Sequence, residues 1–186
     1  LRKSLTLLIP PHQAIEHFLT RLRKELLVLA ANQKTIPENL KLLIEALATQ
    51  CFLNEYVYTQ SPAEEELVNQ LIHALHGNQE TFNQYLAIAA CYMPIYQLNL
   101  NEDWLKAYPN TSEESKALLQ TQLEEPKEEE RIKATIQVDS KVTDKISVKV
   151  QDMYEENPYP RYRYADHTDK SLALTVSKAI EIESTK

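Results

Sequence analysis

Apolar positions recur along this chain at steps of three and four far more often than they alternate, and that period predicts helices. Ile15, Phe18, Leu19, Leu22, Leu26 and Leu29 form one stripe with Arg21, Arg23 and Lys24 opposite, which predicts an amphipathic helix over residues 14 to 32. The next segment, about 37 to 58, is apolar around most of its circumference through Leu40, Leu42, Leu43, Ile44, Ala46, Leu47, Cys51, Leu53 and Val57. A helix of that kind is expected at the centre of the fold. Ser61-Pro62-Ala63-Glu64 has the grammar of a capping box with proline in the first helical turn. Leu67, Val68, Leu71, Ile72 and Leu75 then carry a stripe to a stop at Gly77. Phe82, Tyr85, Leu86, Ala89 and Met93 predict a helix over 81 to 93, ended by Pro94.

Residues 95 to 110 read as a connector carrying Tyr96, Trp104 and Tyr108, with Trp104 expected in the core. Thr111-Ser112-Glu113-Glu114 predicts a further helix start leading to Leu118, Leu119 and Leu123, and Pro126 restarts a short acidic helix over 127 to 135. Val142, Ile146, Val150, Met153 and Tyr154 share a helical face, although Ile146, Val148 and Val150 alone also alternate as a strand would. Leu172, Val176, Ala179 and Ile180 predict a last amphipathic helix. The expected architecture is all-α: antiparallel helical hairpins, in a bundle or solenoid-like array, over residues 1 to 136. A helix, a Tyr/Pro bridge and an extended Pro-containing C-terminal arm follow over 137 to 186.

Composition agrees with helices and narrows the chemistry. There is one glycine against nine prolines in 186 residues, too few glycines for the turns of an all-β or dinucleotide-binding fold, while a hydrophobic fraction of 43% suffices for a core. A formal charge of −7 argues against nucleic acid, which calls for a basic face, and no apolar run reaches the ~20 residues that span a bilayer. A cytoplasmic location is expected. Cys51 and Cys91 both lie in apolar helical runs and are expected as buried reduced thiols. The chain opens on Leu1 and reads as an excised portion of a longer protein.

Asn54 falls on the apolar stripe of the central helix with Glu55 beside it, so Asn54 is expected to be buried and hydrogen-bonded, as a cap for a neighbouring loop or as a ligand or partner contact. His12 with His17, and His73 with His76, lack further ligands for a metal and are expected to be solvent-facing; no metal site is expected. The glutamates around Pro126 are expected to form a solvated face.

The most improbable local grammar is Tyr154-Glu155-Glu156-Asn157-Pro158-Tyr159-Pro160. Asn157 is pushed out of a helix by the proline after it, and two prolines bias the bridge toward polyproline II, presenting Tyr159 on a stiff backbone. This stretch, through Arg161, resembles the segment just ahead of the Gly-rich first motif in a bacterial family that joins tetratricopeptide repeats to a class I S-adenosylmethionine (AdoMet)-dependent methyltransferase domain. The likeness extends to Gln50-Cys51-Phe52-Leu53-Asn54-Glu55-Tyr56-Val57-Tyr58, to Tyr92-Met93-Pro94, and to Gln122-Leu123-Glu124-Glu125-Pro126-Lys127-Glu128-Glu129, spanning about 40 to 161. Tyr162 stands where the family usually has Trp.

The resemblance implies a region between the repeats and the methyltransferase domain, with Tyr154, Asn157, Tyr159 and Arg161 next to a cofactor site completed by a domain outside this chain. The chain itself has no glycine cluster to receive AdoMet, no Walker motif and no paired-cysteine metal spacing, so no cofactor and no catalysis are expected of it alone. Expected partners are the methyltransferase domain and a protein or peptide, with a homodimer also open. The alternative is a free-standing helical adaptor that binds a partner peptide between its hairpins.

Overall fold

The computed structural model describes residues 1–7 and 12–135, together with Lys149 and Met153. The chain divides into two compact units, Leu1–Lys141 and Val142–Lys186. Of the second unit, Lys149 and Met153 are helical and exposed. Tyr154, Asn157, Tyr159, Arg161 and the helix expected over 172 to 180 lie outside the described residues, as does the extended arm.

The first unit is all-α, and no strand occurs among the described residues. Its helices are α1 (Arg2–Leu5), α2 (Gln13–Ala31), α3 (Glu38–Leu53), α4 (Pro62–Leu75), α5 (Gln79–Ala89), α6 (Glu102–Ala107), α7 (Glu113–Leu119) and α8 (Glu125–Lys133). A 3-10 turn, Ile95–Gln97, follows α5, and a π-helical turn, Gln120–Glu124, joins α7 to α8. Helices α4 and α5 form a tight hairpin against which α2 packs, while α3 packs on α5, α7 and α1. Every residue of α3 from Ile44 to Leu53 is buried, as its apolar circumference predicts, at about 1.5–3 kcal/mol for each large apolar side chain removed from water.

The helix starts follow their caps. His12 accepts the Ala14 N–H at 3.2 Å through Nδ1, which gives that exposed histidine a capping role. Ser61 and Glu64 form the expected reciprocal box, and Asn78 caps α5. The box at the start of α7 is shifted by one residue, running from Ser112 to Ser115.

Several expectations are corrected, among them the end of α5, which comes at Ala89, four residues short of the expected Met93. The stripe assigned to α2 is rotated: Leu19, Arg23, Leu26, Leu27 and Ala30 are buried, whereas Phe18 and Leu29 are exposed. The central helix stops at Leu53, five residues early, and Val57 is 67% exposed. The connector over 95 to 110 contains α6, whose start is capped by Asn101 accepting from the Asp103 and Trp104 N–H groups. Trp104 meets Phe82 edge-on at 5.8 Å, so its aromatic face does serve the core.

Candidate functional site

Helix α3 ends in a strained turn. Glu55 and Tyr56 both adopt left-handed backbone, with φ of 56° and 55°. The Glu55 N–H reaches the Phe52 carbonyl at 3.1 Å and the Tyr56 N–H reaches the Cys51 carbonyl at 2.9 Å, the two bonds of a Schellman motif. Glycine normally takes that position, since an L side chain there costs roughly 1–2 kcal/mol. Here tertiary contacts hold the turn instead. The Tyr56 hydroxyl donates to the Ala90 carbonyl at 3.4 Å, and its ring meets Phe52 edge-on.

Arg23 grips the chain just beyond this turn, at Tyr58 and Thr59. Its Nη2 donates to the Tyr58 and Thr59 carbonyls at 3.3 and 2.9 Å, and its guanidinium lies 4.3 Å from the centre of the Tyr92 ring and 5.6 Å from that of Tyr58. Only 1% of Arg23 is exposed. Two aromatic faces thus surround a cation that would otherwise be costly to bury. Tyr92 in turn donates its hydroxyl to Glu64 at 3.3 Å. Burial alone would raise the Glu64 carboxyl, but the Ser61 N–H and hydroxyl outweigh it, with help from Lys24 and Arg23, and hold the group below its ordinary range.

Gln122 closes the junction from the other side. It is fully buried on the π-helical turn, its amide donates to the Ala48 and Ala90 carbonyls at 2.8 and 3.2 Å, and its oxygen accepts the Ile95 N–H at 3.2 Å. These three bonds tie α3, the end of α5 and the 3-10 turn together. The π-helical turn places Gln122 at that point without interrupting the run from α7 into α8, with Pro126 in the first turn of α8. Cys51 and Cys91 lie within this region as free, buried thiols in mutual contact, and burial followed by the neighbouring thiol pushes Cys91 well above the usual range.

Asn54 and Glu55, singled out from sequence, therefore belong to this turn. Asn54 is buried and its amide interacts with the Tyr58 side chain, while its Oδ1 has no partner among the described residues. The expected full satisfaction of Asn54 is thus only half met. Glu55 is half-buried, beyond the helix. Arg23 and Gln122 were not predicted as site residues. Arg23 had a signal, because Leu27 and Ala30 rotate the apolar face of α2 onto it. Gln122 had none, since its partners lie 74 and 32 residues away.

A second buried carboxylate sits earlier on α3. Glu45 accepts from the Tyr108 hydroxyl at 3.1 Å and from Ser112 at 3.4 Å, pinning the segment between α6 and α7. Burial raises its carboxyl despite those two bonds, with Glu114 adding to the rise and Lys41 opposing it.

Among the described residues a cleft of about 530 Å³ opens between the end of α2, the second half of α4 and the start of α5. Ala30, Ala31 and Ala74 form small apolar parts of its lining. Gln33, Thr35, Gln70, Asn78, Thr81 and Gln84 supply amides and hydroxyls. One wall is fixed: Gln84 Oε1 accepts the Ile36 N–H at 3.0 Å, and the Tyr85 hydroxyl donates to the Lys34 carbonyl at 3.2 Å. Gln33 itself sits at φ 54° and closes another Schellman motif without glycine.

No helix among the described residues is long and apolar enough to cross a membrane, and no metal-ligating cluster occurs among them. No family model, curated protein or solved structure matches this chain.

Proposed function

We propose that this chain is a docking region of an AdoMet-dependent methyltransferase, a binding part that works beside a catalytic domain outside it. The observation that carries the reading is the α2–α4–α5 cleft, where hydrogen-bonding side chains remain available above a wall held by Gln84 and Tyr85. Its lining offers donors and acceptors without a nucleophile and base in contact, which suits recognition. The assignment to a methyltransferase rests on the resemblance. It is supported by Arg23, which joins Tyr58 to Tyr92 from two of the stretches that carry the likeness, and by Gln122, from a third, which bonds Ala48, Ala90 and Ile95 beside them. In this proposal Tyr154, Asn157, Tyr159 and Arg161 flank the cofactor, and the protein works in the cytoplasm.

Calorimetric titration of AdoMet tests it. Residues 1–186 alone are expected to give no binding heat, whereas a longer protein carrying this chain and a downstream Gly-rich strand-turn motif is expected to bind. In that longer protein, Tyr159→Ala removes an aromatic contact worth about 0.5–1.5 kcal/mol, a several-fold rise in Kd. Tight binding by residues 1–186 overturns the reading. Absence of binding in the longer protein leaves the cleft and favours a free-standing helical adaptor.

A further inference from the structure

The cleft has a chemistry that narrows its ligand. Among the described residues no Lys or Arg lines it, so a phosphate or carboxylate group finds no counter-charge there. Its one aromatic residue, Tyr85, is buried with its hydroxyl committed to Lys34, which leaves no open ring face for a sugar or a nucleobase. Glu80 is its single carboxylate and stands in the first turn of α5, where the helix dipole already favours a negative charge.

What remains is neutral and two-sided. A primary amide carries one acceptor and two donors, and Gln33, Gln70, Asn78 and Gln84 bring four such groups to one cleft. Gln84 has its oxygen occupied by the Ile36 N–H, Gln70 its nitrogen by Glu66, and Asn78 its oxygen by the Thr81 N–H, so a donor, an acceptor and a donor respectively are left uncommitted. A peptide backbone in extended form presents N–H and C=O groups along both edges, which is the pattern such a set can read. Alanines at 30, 31 and 74 have only methyl groups, so a backbone can approach closely and only a small side chain fits between them and the strand. A volume of about 530 Å³ lies within the roughly 300–1,000 Å³ typical of clefts for small ligands.

We propose that this cleft binds a short, extended, uncharged peptide segment through its backbone, with a small side chain seated on the alanines. This rests on the docking role proposed above and names its ligand class.

The test is a nuclear magnetic resonance titration of ¹⁵N-labelled residues 1–186 with blocked peptides. The probes are acetyl-tetra-alanine amide, its backbone N-methylated analogue, and peptides of the same length centred on Asp, Lys or Trp. Tetra-alanine is expected to shift the side-chain amide signals of Gln33, Gln70 and Gln84 saturably, in the millimolar range, and N-methylation is expected to abolish the effect. Thr81→Val and Gln33→Ala remove polar groups that make no other side-chain bond in the structure, and each is expected to raise Kd roughly 3- to 10-fold with unchanged backbone spectra elsewhere. If Asp, Lys or Trp peptides shift the cleft signals and tetra-alanine does not, the ligand class is overturned while docking stands. If no peptide shifts them at tens of millimolar, both fall. Equal binding of the N-methylated analogue overturns backbone reading.

Discussion

The junction beneath residues 54–59 and the cleft between α2, α4 and α5 are built from similar side chains, and they differ in how much hydrogen-bonding capacity those side chains retain. At the junction Gln122 gives both amide donors and its oxygen to backbone groups, and it is fully enclosed. In the cleft Gln84 gives only its oxygen, and it stands half-exposed. A buried amide is tolerated because its partners would be costly to leave unpaired, whereas an open one keeps its remaining groups in exchange with water, ready for a ligand. The same residue type is a clamp in one place and a reader in the other, and burial decides which.

Substitution at the clamp should break this contrast most forcefully. Gln122→Leu preserves the side chain's approximate size while stranding the Ile95 N–H and taking one of two partners from the Ala48 and Ala90 carbonyls, so a loss of about 2–3 kcal/mol is expected. Urea unfolding followed by circular dichroism measures it; a midpoint close to that of the wild type would show that the three backbone groups find other partners.

The buried carboxylates provide a smaller effect with a sign that can be read. Burial raises Glu45 above the ordinary value of 4.5, so the folded protein holds that proton more tightly than the unfolded chain does. Its contribution is therefore greatest at acid pH and declines as pH rises through the window just above 4.5. Glu45→Gln is expected to flatten that decline and to gain on the wild type toward neutral pH. Glu64 runs the other way: the bonds from Ser61 overcome burial and lower it, so its contribution is present at neutral pH and fades as pH falls below 4.5. Relative to the wild type, the stability of Glu45→Gln should rise with pH and that of Glu64→Gln should fall, and two differences that change in the same sense would refute the assignment.

The smallest effect sharpens the comparison from the cleft side. Gln33→Gly relieves the left-handed strain of roughly 1–2 kcal/mol but adds freedom to the unfolded chain, for a net stabilisation of about 0.5 kcal/mol. The same change removes a cleft amide. A protein that melts slightly later yet binds tetra-alanine more weakly is the expected outcome, measured by thermal denaturation and by the resonance titration in parallel.

Much of the scaffold is legible in the sequence, because period and caps are local. The stop at Gly77, the Ser61 box and the all-round burial of α3 followed from neighbours within a turn or two. The polar interior was not legible for the opposite reason: Arg23 meets residues 35 and 36 positions away, and Glu45 meets Tyr108 across 63. A charged residue among apolar ones is ambiguous until its distant partners are known. The early end of α3 was hidden differently, since nothing in Asn54-Glu55-Tyr56 advertises left-handed backbone in the way glycine does. Helix α6 did have a signal in Asn101 followed by Glu102 and Asp103, a cap with acidic residues in the first turn.

The position of Gln122 also bears on how the protein is made. Synthesis delivers the chain from its N-terminus, and the groups that Gln122 binds at Ala48, Ala90 and Ile95 all emerge from the ribosome before it does. Until residue 122 clears the exit tunnel, α3 and the end of α5 can approach one another, but the Ile95 N–H lacks the acceptor that Gln122 later brings to it. A chain stalled short of residue 122 would thus offer chaperones an opening beside α3 that the folded unit has sealed.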